Sequence, residues 1–321
     1  MPSLLTHAFF AEDFVEKHKR EESCITKYAD VFRLGSQGPD PLFFYGIWPK
    51  RGLNIKQAKE ALGSQLHKLD GNQLFSAAVE QINSIENEEE KQIFAAFILG
   101  QFAHYMLDSN SHLYVYYWSG FDDKGKLSGI YHYRHGHFEA VLDSVLANAR
   151  RRDELTHKPQ AILMISEEQL KIVNKNFVKV LEEVFSKRLP ENLYADSVNN
   201  MIDIYHYAEG GTCLRHVLWG HTSVAQLYIP PKGNRKVLNE ERLVWKDPAE
   251  GINHKETFIE LFNKAQDDME IAYSNIKQNG LNMESLKPVM KGLNYSGVAI
   301  GKTIKYKDVE EKLYPKGCRA K

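Results

Sequence analysis

Residues 93–117 read IFAAFILGQFAHYMLDSNSHLYVYY, and they set the reading of the chain. Its first part, Ile93–Leu107, is strongly apolar. Within the quoted residues, His104, Asp108 and His112 recur at i, i+4 and i+8. Each step of four on an α-helix turns a side chain by only about 40°, so all three share one face. Three ionisable groups aimed into an apolar core cost free energy unless something pairs them. A bound cation is the simplest partner, and His with carboxylate is a common zinc ligand set.

Outward from this segment, helical periodicity dominates and alternating strand patterns are scarce. Helices are expected over Leu4–Lys19 and Glu22–Leu34, the second stopped by Gly35. Others are expected near 55–69, 72–85, 88–112, 134–151, 167–187, 194–209, 212–227 and 254–277. Pro230–His254, with Pro, Gly and Asn and few apolar residues, reads as a long surface loop, and Leu281–Lys321 as partly irregular. The expected fold class is all-α, residues 1–321 forming a single multi-helix domain with the candidate ligands inside 1–145.

The bulk numbers narrow the function. Lys and Arg number 41 against 42 Asp and Glu, a formal net charge of −1. Such a balance gives no reason to expect duplex nucleic acid as a partner. Cys24, Cys213 and Cys318 stand far apart and form no CxxC pair, so they read as ordinary thiols in a reducing compartment. The longest apolar run, Ile93–Leu107, holds 15 residues including Gln101 and His104, short of the about 20 needed to span a bilayer. The N-terminal residues lack a signal-peptide pattern, and a cytoplasmic location without a transmembrane segment is the expectation.

Further candidate ligands come from other segments. His135 and Glu139 stand at i, i+4 near the start of a helix and share a face. His67 closes LGSQLH, His7 lies on the apolar side of the first helix in register with Phe14, and Asp40 is held between Pro39 and Pro41. His132 competes with His135 for the face of Glu139, whereas His137 points away. His206, His216 and His221 are spaced by ten and five, so they do not share a face and read as core or surface histidines. Ser296–Thr303, SGVAIGKT, comes close to a phosphate-binding loop, but Ser replaces the first Gly and no strand precedes it. Tyr114, Tyr116, Tyr117 and Trp118 read as core packing or as a cleft wall, and Glu86–Lys91 as a solvated helix start.

Taken in order, His7, Asp40 in LGSQGPDPLFFYG, His67 in LGSQLH, His104-x-x-x-Asp108, His112 in SHLY and His135-x-x-x-Glu139 resemble the zinc-dependent phospholipase C family. Its all-helical fold is shared with single-strand-specific zinc nucleases. LNEERLVWKDPAEGINHKETFIELFNKA, residues 238–265, also resembles the C-terminal part of bacterial members. The resemblance implies two or three Zn2+ ions. One would be held by Asp40, His67, His104 and Asp108, and a second by His112, His135 and Glu139. A third would sit at His7, with Asp108 as the bridge. In secreted relatives the N-terminal residue completes that third site; here the chain begins Met-Pro. Asp108 and His112 are also closer together than in those enzymes. The implied activity is hydrolysis of a phosphodiester or phosphomonoester, on a small molecule or a lipid. Zinc would activate water, and Asp40 would orient that water or act as general base. The alternatives are a nuclease-like phosphodiesterase and a non-catalytic helical binding protein stapled by zinc. The absence of Cys from the ligand set argues against the staple.

Overall fold

The computed structural model describes residues 4–46, 62–121, 130–208, 229–302 and 304. Helices account for most of them: α1 (Leu4–His18), α2 (Cys24–Lys27), α3 (Ala29–Gly35), α4 (Leu62–Leu66), α5 (Gly71–Ser84), α6 (Glu88–Ser119), α7 (Ile130–Ala149), α8 (Glu154–His157), α9 (Glu167–Phe185), α10 (Leu193–Ala208), α11 (Phe258–Asn279) and α12 (Met283–Met290). The only sheet among the described residues is one antiparallel pair, β1 (Trp245–Lys246) with β2 (Asn253–His254). The class is all-α, as the periodicity implied.

The quoted stretch lies in α6, whose 32 residues span about 48 Å. Asn87 starts the helix by accepting from the Glu90 amide at 2.9 Å, and Glu88, Glu89 and Glu90 suit the positive end of its dipole. Gly120, at φ 80°, ends it. From Ile93 to Ser119 nearly every side chain is buried, so α6 is the axis on which the other helices pack. Phe94, Phe97 and Phe102 are fully buried along it, each contributing roughly 2–3 kcal/mol of transfer free energy.

One crossing positions the site. Helix α3 meets α6 at Gly35 and Gly100 with backbone against backbone. A Cβ on Gly100 would lie 2.2 Å from the Phe32 carbonyl oxygen and 2.7 Å from the Gly35 Cα. One helical turn beyond Gly100 is His104, and directly beyond Gly35 the chain runs through Ser36–Asp40 across it. The loop ends in a 3-10 turn, Asp40–Phe44, with Pro41 in its first turn.

Several boundaries differ from the periodicity. Glu22–Leu34 is broken at Tyr28, whose backbone leaves the helical region, giving α2 and α3. Helix α6 runs on to Ser119 and α7 starts early, at Ile130. Pro230–His254 is more ordered than a surface loop. It holds a 3-10 turn, Arg235–Leu238, and the β1–β2 pair, because Trp245 is buried and packs edge-on against Tyr114 at 5.4 Å. Helix α11 therefore begins only at Phe258, with Thr257 and Glu260 forming a capping box. The expected helix over 212–227 and the first part of 55–69 lie outside the described residues. No helix among the described residues is long and apolar enough to cross a membrane.

Candidate metal centre

All eight candidate residues meet. Helix α1 brings His7, the loop after α3 brings Asp40, and the end of α4 brings His67. Helix α6 supplies His104, Asp108 and His112, and α7 supplies His135 and Glu139. They fall into three groups able to hold a cation: Asp40–His67–His104, His7–His104–Asp108 and His112–His135–Glu139, the ligand atoms of each lying within 4.8 Å of one another. Asp108 ties the groups together. Its Oδ1 is 3.2 Å from His7 Nε2, and its Oδ2 is 3.0 Å from His104 Nε2, 3.4 Å from His112 Nδ1 and 3.7 Å from His67 Nε2. His112 Nε2 and His135 Nε2 lie 3.5 and 3.2 Å from Glu139 Oε1. His7 stacks on His104 with ring centroids 4.0 Å apart, and His112 on His135 at 5.6 Å.

Three of the imidazoles are oriented by main-chain carbonyls. His104 Nδ1 donates to Ser36 O at 3.0 Å, His67 Nδ1 to Gly63 O at 2.7 Å and His112 Nδ1 to Tyr295 O at 2.9 Å. A carbonyl can only accept, so each Nδ1 carries a proton, and in the neutral imidazole each Nε2 turns a lone pair inward. Those lone pairs face carboxylate oxygens. Asp40 Oδ1 is 3.4 Å from His67 Nε2, and Asp40 Oδ2 is 3.8 Å from His104 Nε2. Electron pair thus meets electron pair, an arrangement stable only around a cation or added protons.

The unmet hydrogen bonds say the same. Both oxygens of Asp40, Oδ2 of Asp108, Nε2 of His104 and Nδ1 of His7 are buried without a hydrogen-bond partner. His104 Nε2 and Asp108 Oδ2 are close, but their alignment is not that of a hydrogen bond. Orphaned buried groups of this kind are rare, and here they converge from three segments. Among the described residues the ion-pair partners of Asp40 and Asp108 are histidines, not Lys or Arg. The donor set, imidazole nitrogen and carboxylate oxygen without sulfur, fits zinc in open, reactive sites.

Burial dominates the proton affinities. It pushes the Asp40 carboxyl up to about 8, against the pull of His104, and pushes His67 down to about 3. Burial would also raise Asp108, but His104 and His112 beside it hold its carboxyl well below the usual range. Burial disfavours the charged form of His112, but Asp108 and Glu139 outweigh it and hold the ring well above its ordinary value. Burial lowers His135. A site that forces neighbouring groups to opposite extremes is electrostatically poised for a ligand.

A small pocket opens between the groups, lined by His7, Asp108, His112 and Glu139 together with Thr6 and Ser111. His135, not His132, is the buried partner of Glu139; His132 is exposed. His137 stacks on Tyr133 at 5.7 Å, away from the cluster. His206 is exposed, and His216 and His221 lie outside the described residues. Residues 1–2, which would complete a site at His7, also lie outside them.

The residues that orient the cluster were not visible in its ligand pattern. Gly38, at φ +57°, lies flat against the His104 ring: a Cβ there would sit 2.3 Å from its Cγ and Cδ2. Gln101 donates to the Gly38 carbonyl at 2.9 Å and holds the loop down. Tyr295 immediately precedes the near-phosphate-loop stretch, and its ring covers His67 at 5.2 Å and His104 at 5.8 Å. That stretch is no phosphate loop. It folds as a tight turn closed by the Leu293–Ala299 bridge, and Gly297 at φ +72° lets it approach the Ser109 carbonyl on α6. Its Gly and Ser signal a turn but not what the turn covers.

A model of the family described as zinc-dependent phospholipase C matches residues 6–193. Comparison with curated proteins and with solved structures finds no match. The matched span contains all eight clustered residues and covers more than half of the chain. The chain therefore belongs to the zinc-dependent phospholipase C family.

Proposed function

We propose that this protein is a zinc-dependent phosphoester hydrolase holding two or three zinc ions in the cluster. Asp40, His67, His104 and Asp108 are one ligand set, and His112, His135 and Glu139 the second. His7 with Asp108 would form the third, Asp108 being shared with the first. The observation carrying this reading is the convergence of the carbonyl-pinned His67 and His104 rings on Asp40 and Asp108 oxygens that lack a hydrogen-bond partner. Bound zinc supplies Lewis acidity that lowers the pKa of water toward about 7 and offsets charge developing on a phosphoryl group.

The protein's own groups do the rest. Asp40 offers two buried oxygens, so one can serve as a ligand while the other accepts a proton from the attacking water. Fixed imidazole tautomers keep the ligands from reorienting as charge develops. Tyr295 walls the site against bulk water beside His67 and His104. The substrate class is a phosphodiester or phosphomonoester on a small molecule or lipid. The protein is read as one domain, since a continuous buried core runs from Leu4 to Tyr295.

Metal analysis of the purified protein, followed by hydrolysis assays on a generic phosphodiester, a phosphomonoester and phosphatidylcholine vesicles, tests the proposal. The expected result is two or three zinc ions per chain and turnover that His104→Ala abolishes. A metal-free protein of unchanged stability defeats it. Chelation separates the zinc-staple alternative: loss of turnover in a folded protein supports an enzyme, and unfolding supports a staple.

A further inference from the structure

Helix α7 carries one more buried acid that the ligand sets do not use. Asp143 stands one turn beyond Glu139 and is 1% exposed. Its Oδ2 accepts from the Leu5 amide at 2.9 Å; its Oδ1 accepts from the Thr6 amide and the Thr6 hydroxyl, both at 2.7 Å. The amides of Leu5 and Thr6 belong to the first turn of α1, where no intrahelical acceptor exists. A carboxylate more than 130 residues downstream therefore clamps the start of α1.

The next residue after Thr6 is His7. His67, His104 and His112 are each held by a carbonyl at Nδ1, but His7 Nδ1 has no partner. The direction of the His7 ring toward Asp108 is thus set by where the α1 backbone starts. Asp143 sets that start from the helix that also carries His135 and Glu139.

We propose that Asp143 is a positioning residue for His7, fixing the affinity of the zinc position at His7–Asp108 while leaving the other two ligand sets unaltered. The inference rests on reading the three groups as zinc positions. Charged acceptors of backbone N–H groups are strong partners, and the groups that orient metal ligands commonly control affinity by about 10- to 100-fold.

The test counts zinc per full-length chain and follows its stepwise removal by a competing chelator. Asp143→Asn keeps the shape but turns an amide NH2 or a single oxygen toward three donors. It is expected to weaken the most labile zinc by about tenfold or more, with the other two retained at wild-type affinity. Thr6→Val, which deletes only the hydroxyl bond, is expected to weaken the same zinc by less. Wild-type affinity for all three ions in Asp143→Asn overturns the proposal, as does loss of all three together, which marks a merely structural role. If Asp143→Asn does not fold, Thr6→Val decides: unchanged affinity of the most labile zinc overturns it. A wild-type chain with two zinc ions overturns this inference but not the hydrolase reading, whereas one with none overturns both.

Discussion

Gly38→Ala is a perturbation whose size can be worked from the geometry. The backbone at Gly38 has φ +57°, which costs an L-residue roughly 1 kcal/mol relative to Gly. The new methyl group would also sit 2.3 Å from the His104 ring. Ordinary contact needs the ring or loop to retreat by about 1 Å, and neither is free. His104 is fully buried and tied to Ser36, and Gln101 holds the loop. Overpacking of this kind costs about 1–3 kcal/mol, for a total of roughly 2–4 kcal/mol. A displacement of about 1 Å at a catalytic group can also cost 100-fold in turnover. Gly280→Ala is the control, because Gly280 has φ +81° but nothing within 4 Å of its added Cβ. Thermal melts, zinc content and phosphodiester turnover are measured on both variants. Gly280→Ala, at φ 81° and ψ 168°, is expected to lose roughly 1–3 kcal/mol from backbone strain alone and to keep zinc and turnover. Gly38→Ala is expected to lose zinc or turnover by at least tenfold, where the control keeps both. If the two variants behave alike, the role given to Gly38 in seating His104 is wrong.

Other expectations follow from neighbouring features. Gly100→Ala forces apart two backbones and should cost about 3 kcal/mol or more, read as a lowered denaturant midpoint without direct contact with a ligand. His135→Ala should remove the zinc at His112 and Glu139, while the exposed His132→Ala should keep the full metal content; the opposite pattern reverses the assignment. With zinc chelated, the raised proton affinity of Asp40 has a definite sign. Folding favours its protonated form, so this contribution is present below about pH 4 and is lost as pH climbs through about 8. The chelated wild type should therefore melt lower at pH 8 than at pH 5, and Asp40→Asn should flatten that difference. An identical slope in the variant would show that Asp40 is not the group responsible.

The candidate cluster was legible because its residues obey local rules. His104, Asp108 and His112 share a face by helical spacing alone, and His135–Glu139 repeats the logic. All eight ordered positions converge in space. The fold class was legible for a similar reason, since helical periodicity survives without tertiary information. What escaped was non-local. Nothing in the sequence marks the Ser36 and Tyr295 carbonyls as partners of His104 and His112, because every residue carries a carbonyl. Asp143 carries no local signal on its helix; only the fold brings the start of α1 against it. Trp245 gave no alternating pattern, yet its burial against Tyr114 orders a strand pair in a segment that composition marks as loop.

The carbonyl of Tyr295 that orients His112 has a consequence for the order of events during synthesis. The eight clustered residues all precede residue 140, but this acceptor arrives 183 residues after His112. A nascent chain therefore displays every ligand long before the last of its tautomers is locked. Contacts this distant in sequence form late, after shorter loops have closed. Zinc met early would find mobile imidazoles able to exchange protons between nitrogens, and could bind and leave. Zinc met after the turn at 293–299 has docked finds the His112 lone pair already aimed. On the zinc reading, durable metal retention would report completed folding, with the C-terminal turn as the latch.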